Sequence, residues 1–144
     1  MKNTMKFFMI DPKSRTISDL RVDRDTWDYK QIYKLLGISN TFEYVWLGES
    51  PDDGPFENGL YIDGEGMLKN AFAGPDDSQT MWYFQIINQG GHEHTIAGPA
   101  IVVGTDEEGD TDSTTFSREH IESIVGWVPD GIEVTPAAPK IYAF

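Results

Sequence analysis

The chain has 144 residues, no cysteine, 24 acidic against 11 basic side chains and a formal net charge of −13. That length suits one domain able to bury a core without a staple, and 39% apolar with 12% aromatic residues argues against disorder. Disulfides, thiolate zinc sites and a cysteine nucleophile are excluded, and the acidity disfavours direct binding of nucleic acid, whose phosphates it repels.

The longest apolar runs, such as Phe7–Ile10 and Ala100–Val103, fall far short of the ~20 residues of a membrane-spanning helix. The start of the chain looks superficially like a signal peptide. Its apolar stretch meets Asp11-Pro12 after four residues, too soon for a secretory segment, and reads as the first strand. Thr16–Val22 reads as its hairpin partner across Asp11–Arg15, although Ile17 and Leu20 are out of phase. A helix follows, with Asp25 as N-cap and Asp28 three residues on. Trp27, Ile32, Leu35 and Leu36 form its buried face, and Gly37 sits at C′. Thr41–Leu47 predicts a strand with Phe42, Tyr44 and Trp46 on one face and Val45 and Leu47 on the other. Gly48–Gly59, with two prolines, three glycines and four acids, predicts a polar loop.

Leu60–Ile62 predicts a strand into the turn Asp63–Gly66, with Met67-Leu68 returning and Lys69–Gln79 as a loop. Met81–Ile87 alternates, placing Trp82, Phe84 and Ile86 on one face and Tyr83 on the other; Gln89–Gly91 breaks it. Ile96 and then Ala100–Gly104 predict one apolar strand buried on both sides. Ser117 caps a second helix bearing Ile121, Ile124 and Val125, ended by Gly126. The reading is α+β: a mostly antiparallel sheet of six or seven strands with two short helices. Residues 1–126 form the domain, and 127–144 an arm in which Lys140–Phe144 could add an edge strand.

The charge is unevenly placed. Residues 1–34 carry eight basic and five acidic side chains, a net of +3; residues 35–144 carry three and nineteen, a net of −16. The acids concentrate at Asp52, Asp53, Glu57, Asp63 and Glu65, and at Asp106, Glu107, Glu108, Asp110 and Asp112. Solvated loops are the plain reading, and docking on a basic partner or binding of a hard cation are the others. Counting a calcium loop from Asp106 puts Thr111 where glycine is required and Ser117 where glutamate is required, so that pattern fails. His92 and His94 share a face if extended and are weak candidates for a metal site lacking a visible third ligand; Gly90-Gly91 points instead to a hairpin tip. Trp46, Trp82 and Tyr83 could line a small-molecule or nucleotide pocket, or simply be core. No serine elbow, phosphate loop or dinucleotide fingerprint occurs, so no catalytic residue and no cofactor are expected.

Leu60-Tyr61-Ile62-Asp63-Gly64-Glu65-Gly66-Met67-Leu68-Lys69-Asn70 and Ile96–Asp110, with its Val102-Val103-Gly104-Thr105-Asp106 centre, resemble the two hallmark segments of a family of small proteins of unknown function. Its members occur in phages, prophages and plasmids. The Met9-Ile10-Asp11-Pro12 start fits as well. The resemblance implies an accessory protein of a mobile element in a bacterial cytoplasm and supplies no catalytic or ligand residues; a host-takeover or anti-defence role is a further expectation, attached to the acidic surface. The expected function is non-catalytic binding of a basic host or phage protein through the acidic surface. The alternatives are the aromatic pocket and, last, a metal-dependent hydrolase using His92, His94 and neighbouring acids.

Overall fold

The computed structural model describes residues 3–38, 41–50, 56–65 and 83–127. The expected Met67-Leu68 strand, the Lys69–Gln79 loop, Asp52, Asp53, Trp82 and the arm beyond Trp127 lie outside them. The described residues form nine strands and two helices: β1 (Thr4–Asp11), β2 (Thr16–Asp23), α1 (Lys30–Leu36), β3 (Phe42–Glu49), β4 (Glu57–Asp63), β5 (Tyr83–Ile87), β6 (Glu93–Ala97), β7 (Ala100–Thr105), β8 (Thr111–Asp112), α2 (Arg118–Ile124) and β9 (Val125–Trp127). The class is α+β, with antiparallel pairing throughout the described strands.

The larger sheet runs β2-β1-β7-β4-β3, and the smaller runs β6-β5-β9. β1 and β2 pair residue for residue from Thr4↔Asp23 to Asp11↔Thr16, as the hairpin pattern predicts. β1 has no polar face to give to water: Met5 and Phe7 point one way, Phe8 and Ile10 the other, and all four are buried. Two cores result. On one side Met5, Phe7, Ile101 and Val103 meet Ile32 and Leu36 of α1. On the other, Phe8, Ile10, Leu60 and Val102 meet Phe84, Ile86 and Ile96 of the smaller sheet and Ile121 of α2. β7 lies between the two cores, which explains its uninterrupted apolar sequence.

Four expectations change. First, the helix starts later than Asp25. Asp28 Oδ1 accepts from Lys30 N at 2.9 Å while Asp25 N is bound to Asp23 Oδ1. Trp27 precedes α1 and packs edge-on against Phe7, 5.3 Å between ring centres. Gly37 does end the helix in the left-handed region, φ 69°, with Ile38 N reaching back to Tyr33 O. Second, β3 and β4 extend into the expected Gly48–Gly59 loop from both ends, Glu49 pairing with Glu57. Third, Ile96 and Ala100–Gly104 belong to different sheets: Gly98 (φ 86°) and Pro99 turn the chain from β6 in one to β7 in the other. Fourth, Val125 and Gly126 leave the helix for β9, where Trp127 pairs with Phe84. Ser117 caps α2 as expected, its Oγ accepting from His120 N at 3.1 Å.

One seam organises the lower half of the larger sheet. β1 and β7 pair only over Phe8–Ile10, and beyond that point β8 pairs with β7 in place of β1. The segment after β8 then bonds to β1: Lys6 N donates to Ser113 Oγ at 3.0 Å and Thr114 N to Lys6 O at 2.9 Å. This segment crosses a row of three cross-strand partners, Gly48–Asn58–Gly104. The glycines leave space, and a Cβ on Gly104 would run into Ser113 O. Asn58, fully buried, bonds the segment itself: Oδ1 accepts from Thr114 Oγ1 (2.7 Å) and Thr115 N (3.0 Å), and Nδ2 donates to Thr115 Oγ1 (2.8 Å).

Candidate functional site: an acidic and tyrosine-rich sheet end

The register of β3, β4, β7 and β8 sets Glu49, Glu57, Thr105 and Thr111 side by side in one row across the sheet. Side chains directly opposite in an antiparallel pair stand about 5 Å apart at Cβ, and like charges there repel. Glu49 and Glu57 are such a pair. Thr105 leads straight into the loop of Asp106, Glu107, Glu108 and Asp110, of which the last three are exposed.

That loop holds its own shape. Asp106 Oδ1 accepts from Glu108 N and Asp110 N, each at 2.9 Å, and Gly109 takes φ 85°. Carboxylate oxygens of Asp106, Glu108 and Asp110 lie within 4.8 Å of one another. Two backbone donors already use one oxygen of Asp106, which leaves Glu107, Glu108 and Asp110 to set the outward charge.

Beside the row runs a strip of aromatic rings that sequence reading did not identify as a site. Tyr29, Tyr33, Phe42, Tyr61 and Tyr44 follow one another edge to face, with centroid separations of 6.5, 5.4, 5.3 and 5.8 Å. Such contacts contribute about 0.5–1.5 kcal/mol each beyond burial. The strip emerges at both ends, Tyr29 being 58% exposed and Tyr44 38%. The Tyr44 ring lies over Gly59, where any Cβ would collide with it. Its hydroxyl accepts from Thr105 Oγ1 at 3.3 Å, and Tyr61 shares a 2.7 Å hydrogen bond with Thr111. The available signal was the one-face placement of Phe42 and Tyr44, joined to the cross-strand pairing of Tyr44 with Tyr61.

Burial raises the Tyr44 pKa above its ordinary value, the Thr105 hydrogen bond opposes this, and the Glu57 charge adds to the rise. A raised acid holds its proton longer when folded, so any stability it contributes is present below the unfolded value near 10 and is lost above it. Alkaline titration followed by tyrosine absorbance is expected to show a late-ionising phenol that moves earlier in Glu57→Gln. An unmoved titration would contradict this placement.

The remaining sequence candidates separate. Asp63 is 4% exposed and its Oδ1 accepts from Glu65 N at 2.9 Å, so it shapes a turn rather than a charged surface; both acids lie at the opposite end of β4 from Glu57. Asp112 is ion-paired with Arg24 at 2.8 Å. Trp46 is on β3 of the larger sheet and Tyr83 on β5 of the smaller, so the two stand on different sheets. His92 lies in the β5–β6 turn, its N–H bound to Asn88 Oδ1, while His94 is on β6. Among the described residues no third ligating group joins them.

Gln89, in the same turn, completes the backbone of β3 at its bulge between Trp46 and Gly48. Its N–H donates to Leu47 O (2.7 Å) and its Oε1 accepts from Glu49 N (2.7 Å). An apolar groove of about 190 Å³ opens next to it, lined by Leu47, Ile87, Phe116 and Ile124 with Glu49 and His120. Among the described residues no helix is long and apolar enough to cross a membrane. No protein-family model, curated protein or solved structure matches the chain.

Proposed function

We propose that the protein is a non-catalytic interaction protein that docks a basic segment of a partner protein on this sheet end. The observation that carries the reading is the Glu49–Glu57 pair set beside the exposed Tyr44 ring. Two carboxylates held opposite each other gain from a guanidinium or ammonium placed between them, and an exposed tyrosine face adds cation–π attraction. Glu107, Glu108 and Asp110 extend the negative field. The resemblance to phage and plasmid proteins supports a setting in a bacterial cytoplasm and a partner of host or phage origin.

The test uses a short arginine-rich peptide and an uncharged peptide of equal length, with amide chemical shifts as readout. The basic peptide is expected to move β3, β4 and the 106–110 loop, and more weakly as salt shortens the Debye length below about 10 Å. Glu49→Lys combined with Glu57→Lys is expected to weaken binding about a hundredfold, and Tyr44→Ala about tenfold. Salt-insensitive binding, or shifts confined to another face, would refute the reading.

A further inference from the structure

Glu57, Gly59 and Tyr61 alternate onto one face of β4, the face on which Tyr61 joins the α1 core. Successive residues on a face stand about 7 Å apart, so the glycine leaves a gap between a carboxylate and a phenol ring. That gap is filled from the neighbouring strand. The Cζ end of the Tyr44 ring occupies the place a side chain at 59 would take. The ring therefore crosses β4, from β3 on one side to β7 on the other, where its hydroxyl meets Thr105 Oγ1 at 3.3 Å.

Three contacts fix the ring. The Gly59 backbone lies beneath it, Thr105 holds its hydroxyl, and Tyr61 stands beside it at 5.8 Å between centroids with 61° between the planes. Tyr44 is nevertheless 38% exposed. With backbone below and Tyr61 alongside, that exposure belongs to the outward side of the ring. Glu57 is the next residue along the same face, close enough for its charge to act on the Tyr44 phenol. Glu49 is its cross-strand partner. Among the described residues no cation pairs with either carboxylate.

The two biological cations make different demands on such a surface. An ammonium is a compact, strongly hydrated point charge. A guanidinium is planar and more weakly hydrated; it stacks on aromatic faces while its N–H donors, all in the plane, reach sideways to carboxylates. A fixed ring with a carboxylate at its margin meets both of the guanidinium's demands at once.

We propose that the outward side of Tyr44 is an arginine slot: an arginine of the partner protein stacks on the ring and directs its in-plane donors to Glu57, with Glu49 adding charge. The proposal rests on the reading that this sheet end docks a basic segment, and narrows that segment from any cation to arginine. It also gives Gly59 a part in selectivity, because a side chain there would displace the ring.

Three lysine-rich peptides that differ only in one central residue, arginine, lysine or citrulline, test it. Citrulline keeps the planar shape and lacks the charge. The arginine peptide is expected to bind about tenfold more tightly than either of the others. Its side-chain CH₂ protons are expected to move upfield under the Tyr44 ring current. Tyr44→Leu is expected to bring the arginine and lysine peptides within about twofold of each other while both still bind in a salt-sensitive way. Tyr44→Phe keeps the ring and is expected to retain the preference. Equal affinities for arginine and lysine, with shifts still on β3 and β4, would overturn the slot and leave the docking reading standing. A preference that survives Tyr44→Leu would overturn the slot as well. Binding of none of the three peptides, or citrulline binding as tightly as arginine, would overturn both.

Discussion

Asn58→Ala is expected to lower the unfolding free energy by about 3 kcal/mol, one of the two largest single losses we anticipate. The side chain is fully buried and makes three hydrogen bonds, all to Thr114 and Thr115. Alanine removes the partner and leaves the Thr114 hydroxyl and the Thr115 N–H to find others in a buried setting, at about 1–3 kcal/mol for each group left unsatisfied. No side chain across the sheet can substitute, because the cross-strand neighbours of Asn58 are Gly48 and Gly104. A fall in Tm on the order of 10 °C should follow for a domain of this size. Thr114→Val made alone and together with Asn58→Ala supplies the control. The double variant should lose less than the sum of the singles, because the two side chains share a bond. Strict additivity would show that the network is not the source of the loss.

Gly104→Ala is expected to cost about as much, through a different cause. Gly104 is a regular strand residue paired to Asn58 on one side and Asp112 on the other, so backbone freedom is not its purpose. A methyl group would run into the carbonyl oxygen of Ser113, and backbone cannot move aside as a side chain can. Overpacking of this kind costs about 1–3 kcal/mol and occasionally more. Relief comes from lifting β8 out of the seam, so amide exchange in Thr111–Thr115 should rise more than elsewhere. Gly109→Ala is the informative contrast. Its added Cβ meets open space, and only φ 85° opposes it. The expected cost is about 1 kcal/mol, local to the acidic loop. Equal losses at the two positions would sink this account.

Local chemistry was legible in the sequence. The β1–β2 turn, the Gly37 helix end and the Ser117 cap depend on neighbours a few residues away, and each stands where its pattern puts it. The errors share a physical origin. Gly48 and Gly59 look like loop punctuation, yet both are strand residues that are small because something large lies on them: Gln89 and Phe116 over Gly48, and the Tyr44 ring over Gly59. Their partners lie at distant sequence positions or on a neighbouring strand whose register no local pattern specifies. The same reason hid the site. Tyr33, Tyr44 and Tyr61 sit on three elements, with Tyr29 just ahead of the first, and they form one strip only once β3 and β4 are in register. The acidity was plain, but its direction was not. Register brings Glu57 beside Glu49 and sends Asp63 inward at the other end of the same strand.

The corner at Gly98-Pro99 gives the molecule a property that neither sheet has alone. Two residues separate a strand of one sheet from the central strand of the other, too few to act as a flexible linker. The sheets also share one core, so loss of β7 would take the packing of Phe84 and Ile86 with it. Slow amide exchange should therefore report a single opening event for both sheets, with equal free energies at Ile86 and Val102. Chain insertions at this corner should abolish folding, whereas the acidic loop, tied only to itself, should tolerate them.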